Sequence, residues 1–277
     1  MNSSAAAASN YSSSQYRVHI KTVQSNPFKI LVEALKEILT DTNLDIDSTG
    51  IKIITMDPSQ TVLVHLKLDA SNFEIFECKE RIVIGVSMLN LFKLIKTMTN
   101  NDTLELNIEE DETNKLNIII ENGEKNSITK FKLNLIDLDE HNISVPPAVF
   151  DSIITMPSGD FQKICRDMNN LSDTIEIRNI GSQLIFACRG DFAEQETVIG
   201  EINGNGNNNG MNFNKTSDTQ IIQGYYNLRH LVLFTKCTNL CNSIEMYMKN
   251  NFPLVIKFNV GSLGGLTLAL APKVNDN

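Results

Sequence analysis

Eight basic residues stand in pairs on four amphipathic segments of this 277-residue chain. Lys29 and Lys36 lie two helical turns apart, Lys93 and Lys96 one turn, Lys163 and Arg166 one turn, and Arg229 and Lys236 two turns. Apolar residues recur three and four apart in each segment, as Phe28, Leu31, Val32, Leu35, Ile38 and Leu39 do in the first, and the cations fall outside that stripe. Lysines on one solvated helix face need no ligand to explain them. Four such pairs are different, because acidic residues gather elsewhere, at Asp69, Glu74, Glu77, Glu109, Glu110, Asp111, Glu112, Asp137, Asp139, Glu194 and Glu196. A molecule of formal charge -9 and pI about 5.0 thereby gains one positive face. The chemistry open to such a face is neutralisation of phosphates along a polyanion, without readout of base sequence.

Candidates for covalent chemistry are weaker. His19, His65, His141 and His230 show no metal-ligand spacing and no nucleophile motif beside them. Ser158, between Pro157 and Gly159, lacks the glycine two residues ahead that a hydrolase elbow requires. Cys78, Cys165, Cys188, Cys237 and Cys241 are scattered through apolar periodic segments, as reduced core residues are. Cys237 and Cys241 are one turn apart, but no His or second cysteine pair completes a metal set. The expectation is a protein that is not an enzyme and carries no cofactor or metal.

A repeated framework must hold the cations. Ile30 to Leu39 runs into Asp45-Ile46-Asp47 and Ile51 to Ile54, just as Phe161 to Leu171 runs into Asp173 to Ile177 and Leu184 to Phe186. Leu89 to Lys96 leads into Thr103 to Ile108, as Leu228 to Lys236 leads into Ser243 to Met248. Tandem copies of one helix-strand unit mean two similar domains. Between the helices, short β-branched runs such as Val62 to Leu68, Arg81 to Val86 and Leu116 to Ile120 predict strands. The predicted class is therefore α+β, with two strand-rich domains of two helices each.

Residues 1–15, rich in Ser, Ala and Asn, read as a disordered tail; the domains are 16–134 and 152–274, and 275–277 is a short tail. The acidic, proline-bearing stretch 135–151 is the interdomain connector, and Asn203 to Gly210 is a surface loop. With 42% hydrophobic and 21% charged residues the composition is globular. No stretch approaches the roughly 20 apolar residues of a membrane span, and the N-terminus lacks the order of a secretory signal, so a soluble intracellular protein is expected. Free strand edges must be paired or covered, and head-to-tail pairing between identical chains closes a ring when the rotation is right.

These residues resemble a known family, the eukaryotic-type DNA sliding clamps called PCNA (proliferating cell nuclear antigen), over about Tyr16 to Val274. The similarity is carried by Leu31 to Lys36, Leu135 to Asp139, Met156 to Phe161 with Ile164 to Asp167, Phe234-Thr235-Lys236, and Leu270 to Lys273. The resemblance implies a homotrimeric ring of six similar domains, helices lining the hole and sheets outside, that encircles duplex DNA. Its function would be that of a processivity factor for DNA polymerase and a docking platform for replication and repair proteins, acting in the nucleus, or at a cytoplasmic replication site if viral. The eight basic residues would face or lie near the DNA channel, and Ile30 stands where relatives often carry a second lysine.

The resemblance also implies a pocket beneath the connector that takes a short peptide with hydrophobic and aromatic anchors from DNA polymerase, clamp loader and other clients. That pocket would use Met56, Leu63, Ile143, Pro253, Ala269, Leu270 and Pro272, with backbone groups of Gln60 and Ala271. Asp57-Pro58-Ser59-Gln60 replaces a turn that usually ends in His, and Thr267-Leu268-Ala269 replaces a more aromatic lead, so client preference should differ. Subunit contacts would join the strand around Lys130-Phe131-Lys132 of one chain to that around Thr197 to Gly200 of the next, with Phe131, Val198 and Ile199 as apolar contacts. The turn Asn179 to Gln183 holds no lysine, although relatives carry a regulatory modification site there. Competing readings are a subunit of a heterotrimeric checkpoint-type clamp, an enzyme, and a β-rich structural protein without DNA contact.

Overall fold

The computed structural model describes residues 15–140, 143–200, 211–215 and 220–273. The expected surface loop at Asn203 to Gly210, His141, and nearly all of the expected tails lie outside the described residues. The first domain runs β1 (Tyr16–Thr22), α1 (Ser25–Ile38), β2 (Asp41–Asp47), β3 (Gly50–Met56), β4 (Val62–Asp69) and β5 (Ile75–Cys78). It continues with β6 (Ile82–Ser87), α2 (Met88–Ile95), β7 (Asp102–Glu109), β8 (Lys115–Asn122) and β9 (Ser127–Asn134). The second domain repeats this order as β10 (Ser152–Pro157), α3 (Ser158–Asn169), β11 (Thr174–Ile180), β12 (Gln183–Arg189), β13 (Glu194–Gly200) and β14 (Asn212–Lys215). Then come β15 (Ile222–Asn227), α4 (Leu228–Phe234), β16 (Ser243–Met248), β17 (Leu254–Val260) and β18 (Gly264–Leu270).

Local rules explain most boundaries. The first helix starts at Ser25, earlier than the apolar stripe suggested, because Pro27 falls in its first turn, where a missing N–H costs nothing. The fourth ends sooner than the sequence predicts: α4 stops at Phe234, and Lys236 sits in a 3-10 helix, Thr235–Leu240. Thr235 Oγ1 donates to Val232 O and Thr238 Oγ1 to Thr235 O, both at 2.7 Å, and such back-bonding tightens the turn.

The strands form sheets of five (β5-β1-β7-β8-β9), nine (β14-β10-β16-β17-β18-β4-β3-β2-β6) and four (β13-β12-β11-β15), with antiparallel pairings throughout. Alternation assigns the faces. In β4, Val62, Val64, Leu66 and Leu68 are buried while Leu63, His65 and Lys67 point to the other side; in β18, Leu266, Leu268 and Leu270 are buried. The apolar stripes of α1, α2, α3 and α4 join these inward rows in one core cluster, leaving the opposite sheet face outward.

The nine-stranded sheet crosses the domain boundary, because β18 pairs with β4 from Leu270↔Val62 to Gly264↔Leu68. The edge of β6 is met by the connector, where Ile136 N donates to Gly85 O at 2.8 Å. A Cβ on Gly85 would stand 2.2 Å from Ile136 O, so only glycine admits this approach. Gly85→Val should therefore displace the connector and lower the unfolding free energy by about 1–3 kcal/mol. Urea denaturation beside the wild type checks this.

Candidate nucleic-acid interface and peptide groove

Cations on the helices and cations on the sheets have opposite environments. Lys93, Lys96, Lys163, Arg166, Arg229 and Lys236 are exposed, and none has a carboxylate within ion-pair distance among the described residues. On the sheets and their turns, Arg17 pairs with Glu80, Lys52 with Asp47, Lys67 with Asp69, Lys79 with Glu110, Arg81 with Asp45, Lys115 and Lys132 with Glu112, Arg178 with Glu196, and Arg189 with Glu194. Charge is thus cancelled locally at most of the sheet cations, though not at the exposed Lys130 and Lys257, and is left unneutralised at these six helix positions.

The two cations of α1 depart from this pattern. Lys29 is half-buried and donates to Met98 O at 2.5 Å. Lys36 is 16% exposed, paired with Glu37, and lies 4.8 Å over the Phe92 ring. The hydrogen bond from Lys36, opposed by burial and helped by the fields of Lys36 and Lys236, holds the Glu37 carboxyl below the usual range. The expectation that acids avoid the helices also needs correction, since Glu33 and Glu37 lie on α1 and Asp160 and Asp167 on α3. Eight cations against four carboxylates leave a surplus of four per chain, and it falls on α2 with its C-cap Lys96 and on α4 with the following 3-10 turn.

An apolar row crosses the outward face of the nine-stranded sheet. Direct pairings align Met56, Leu63, Ala269, Val255 and Tyr247 on β3, β4, β18, β17 and β16. The connector passes over this face: Asn43 Nδ2 donates to Asp139 O at 3.1 Å, and Asp151 N donates to Met248 O at 3.1 Å. Near its end, Phe150 sits edge-on to Tyr247 and Phe252 at 5.3 and 5.6 Å.

The expected pocket residues divide. Met56, Gln60 and Ile143 line one depression of about 530 Å³ together with Leu39, Thr55 and Pro58. Pro272 lines another, of about 740 Å³, with Ile221, Tyr225 and Phe252, while Leu63, Pro253 and Ala269 are half-buried, the first and last of these in the row between strands. Leu270 is corrected: it is fully buried on the inward face and supports the row from behind. Val255, Tyr247, Phe150 and Phe252 escaped the sequence reading, because only strand register shows which apolar residues share the outward face.

Asp57 organises the rim. Its carboxylate accepts from Thr61 N at 2.8 Å, Val62 N at 2.7 Å, Ser59 N at 3.2 Å, and Ser59 Oγ. The turn so formed puts Gln60 at φ 55, and Ala271 N donates to Thr61 O at 3.1 Å, so one turn brings both expected backbone positions together. Burial pushes the Asp57 carboxyl up, but its hydrogen bonds outweigh burial and the net shift is downward.

His230 of α4, remote in sequence, stands beside this turn with Nε2 3.3 Å from Ser59 Oγ and 3.9 Å from Asp57 Oδ2. These residues do not form a hydrolytic relay. A triad carboxylate must hold Nδ1 of the histidine, whereas Asp57 takes the serine hydroxyl and His230 Nδ1 is buried without a partner. Among the described residues no group of three or more His, Cys, Asp or Glu side chains converges, and no helix is long and apolar enough to cross a membrane.

The expected subunit contacts lie on sheet edges. β9 ends the five-stranded sheet and β13 the four-stranded one. Phe131 turns inward beside Ile118 and packs against the core, while Lys130 is exposed on the other face. Ile199 is on the core side of β13 opposite Leu184, and Val198 is on the outer side opposite Ile185. Ile128, 60% exposed on β9, was missed.

Residues 18–142 match the family profile described as proliferating cell nuclear antigen, N-terminal domain, and residues 144–273 that of its C-terminal domain. The chain is 37% identical over 258 residues to a probable DNA polymerase sliding clamp 1 of Paramecium bursaria Chlorella virus 1, covering 92% of this chain and 96% of the relative. It is 29% identical over 257 residues to the proliferating cell nuclear antigen of Chaetomium thermophilum, covering 92% and 97%. The crystal structure of that antigen from Entamoeba histolytica superposes with a TM-score of 0.85 at 26% identity, covering 94% of this chain and all of the other. Repeated fold, sorted charge and these likenesses define a DNA sliding clamp, a non-catalytic scaffold. The chain belongs to the proliferating cell nuclear antigen family.

A carboxyl whose folded pKa is lowered contributes stability above its unfolded value near 4, and that contribution is lost as pH falls through the folded value. Asp57→Asn should therefore be less stable than wild type at pH 7 by about 1–3 kcal/mol, with the gap closing below about pH 4. Thermal melts from pH 7 to pH 3 measure the gap.

Proposed function

We propose that three copies of this chain close head to tail around duplex DNA, with helices inward, and act as a processivity factor for DNA polymerase. The observation that carries this reading is the sorting of charge: the sheet cations are largely paired, whereas the six exposed helix cations are not. Unneutralised lysine and arginine on a helix face exchange counterions for phosphates and carry no base specificity, which is what a ring must do to slide. Chains carrying β9 and β13 as sheet edges without a strand partner among the described residues have the means to close such a ring. The expected DNA contacts rank accordingly. Lys93, Lys96, Lys163, Arg166, Arg229 and Lys236 hold phosphates, and Lys29 and Lys36, engaged by Met98 O and Glu37, contribute less.

The outward row beneath the connector is the reading's second half. Met56, Leu63, Ala269, Val255 and Tyr247 form an apolar strip flanked by Ile143, Pro253 and Pro272, a shape suited to short client peptides with apolar anchors, such as those of a polymerase or clamp loader. Ala269, small at the centre of the row, leaves room for a bulkier anchor. The work is done in the nucleus, or at a cytoplasmic replication site if the chain is viral.

Retention on nicked circular DNA that is lost on linearisation tests encirclement; equal retention on both would refute it. Lys93→Ala with Lys96→Ala should reduce the salt slope of retention by about one unit for each phosphate no longer held, and Lys36→Ala should change it less. Ala269→Arg should abolish binding of a fluorescent peptide bearing apolar and aromatic anchors while leaving DNA retention intact. A peptide that still binds Ala269→Arg with wild-type affinity would place the groove elsewhere.

A further inference from the structure

The two ends of the outward apolar row differ in charge. At the β2 end, Arg81 donates to both carboxylate oxygens of Asp45 at 2.9 and 3.1 Å and lies 3.7 Å from Glu140, and Lys52 donates to Asp47 at 2.9 Å. Asp45, Lys52, Arg81 and Glu140 line, with Ile143, a depression of about 220 Å³ in which both cations already have their carboxylates. At the β16 end the balance is reversed. Lys249 and Lys257 stand there, and neither has a carboxylate within ion-pair distance among the described residues.

Both lysines are held against the aromatic cluster that closes the row. Lys257 Nζ lies 4.2 Å from the centre of the Tyr247 ring and donates to Tyr247 Oη at 3.1 Å, and Lys249 Nζ lies 5.8 Å over the Phe252 ring. Tyr247 and Phe252 are the two rings that meet Phe150, so the two ammonium groups flank one cluster of three rings. A ring face orients an ammonium without occupying its N–H donors. Glu245, paired across from Lys257, is tied to this cluster through the phenol, because Tyr247 Oη donates to Glu245 Oε2 at 2.6 Å. Burial and then Glu245 push the Tyr247 phenol up, so it stays protonated and keeps donating to that carboxylate. The remaining donors of Lys257 and those of Lys249 have no acceptor among the described residues.

The field of Lys257 reaches along the polar row beside the groove. Lys257 pairs with Thr267, and Thr267 with His65 on β4. Burial, then the charges of Lys257 and Lys67, hold the His65 imidazole below its ordinary value. His65 is therefore neutral at pH 7, and the positive potential of this flank comes from lysine.

We infer that the groove selects client peptides by charge, taking an Asp or Glu side chain beside the aromatic anchor at its β16 end, on Lys249 and Lys257. The inference rests on the peptide-groove reading above and specifies the client. An extended peptide advances about 3.3 Å per residue, so the acidic residue stands within about three positions of the anchor that reaches Tyr247. A chain of formal charge -9 repels acidic peptides in general, so a local pair of unneutralised cations next to the apolar row decides where one can dock. A basic flank at the same place would meet two like charges, and discrimination grows from that repulsion as well as from the attraction. At the β2 end Arg81 and Lys52 are already satisfied, so that end adds little to the choice.

Fluorescent peptides that share apolar and aromatic anchors and are flanked by Glu, by Gln or by Lys test this selection. Wild type should bind the Glu peptide about 10-fold tighter than the Lys peptide, with the Gln peptide between them. K249E/K257E should reverse that order, with circular dichroism and retention on nicked circular DNA as in wild type. Equal binding of all three peptides by wild type, all lost in Ala269→Arg, would leave the groove in place and overturn the selection by charge. Binding of none of them by wild type would refute the groove itself. K249E/K257E that keeps the wild-type order would also overturn the selection. A second measurement needs no variant: the preference of wild type for Glu over Lys should shrink as salt is raised, and a preference that salt leaves unchanged would show selection by shape and overturn the inference.

Discussion

Every backbone group at a strand edge needs a partner, and this constraint organises the molecule. Pairing of β18 with β4 satisfies two edges, one from each domain, and turns two half-sheets into a continuous nine-stranded surface. Because both domains pack their helices on the core side of their strands, that pairing also places the helices on one side of the chain and the outward rows on the other. The helix cations, the apolar row and the remaining free edges take their positions from it.

Charge acts within this frame as a sorting device rather than a stabilising one. Exposed ion pairs contribute about 0–1 kcal/mol each, so the many pairs on the sheets do little to hold the fold. Their effect is to silence most cations on the outer faces of an acidic protein, while those of α2, α3 and α4 stay unpaired among the described residues. The surplus is smaller than the count of lysines and arginines suggests, because α1 and α3 carry as many carboxylates as cations. The field follows from net charge on a face, and a list of basic residues overstates it.

The groove shows how a surface is assembled from pieces with no common sequence signal. Met56 and Leu63 come from neighbouring strands of the first domain, Ala269, Val255 and Tyr247 from the second, and Ile143 and Phe150 from the connector. The Asp57 turn then fixes the rim through four hydrogen bonds to one carboxylate. His230, 171 positions away in the chain, reaches the same turn from α4, a contact no local pattern announces.

Periodicity was legible because it is local: the three-four stripes of α1 and α3, the alternation of β4, and the tandem order of elements follow from side-chain direction along one segment. Family resemblance added the clamp architecture. Not legible were the inward turn of Leu270, the capture of Lys29 by a carbonyl and Lys36 by a carboxylate, the 3-10 turn under Lys236, and the exposure of Ile128. Each depends on what stands opposite, and register between strands far apart in sequence is set by the core that both must bury. The amino-acid order by itself determined the repeated helix-strand units and the presence of cations outside their apolar stripes. Tertiary structure alone decided which of those cations keep their charge and which apolar residues meet across strands, because neutralisation and burial are properties of neighbours in space.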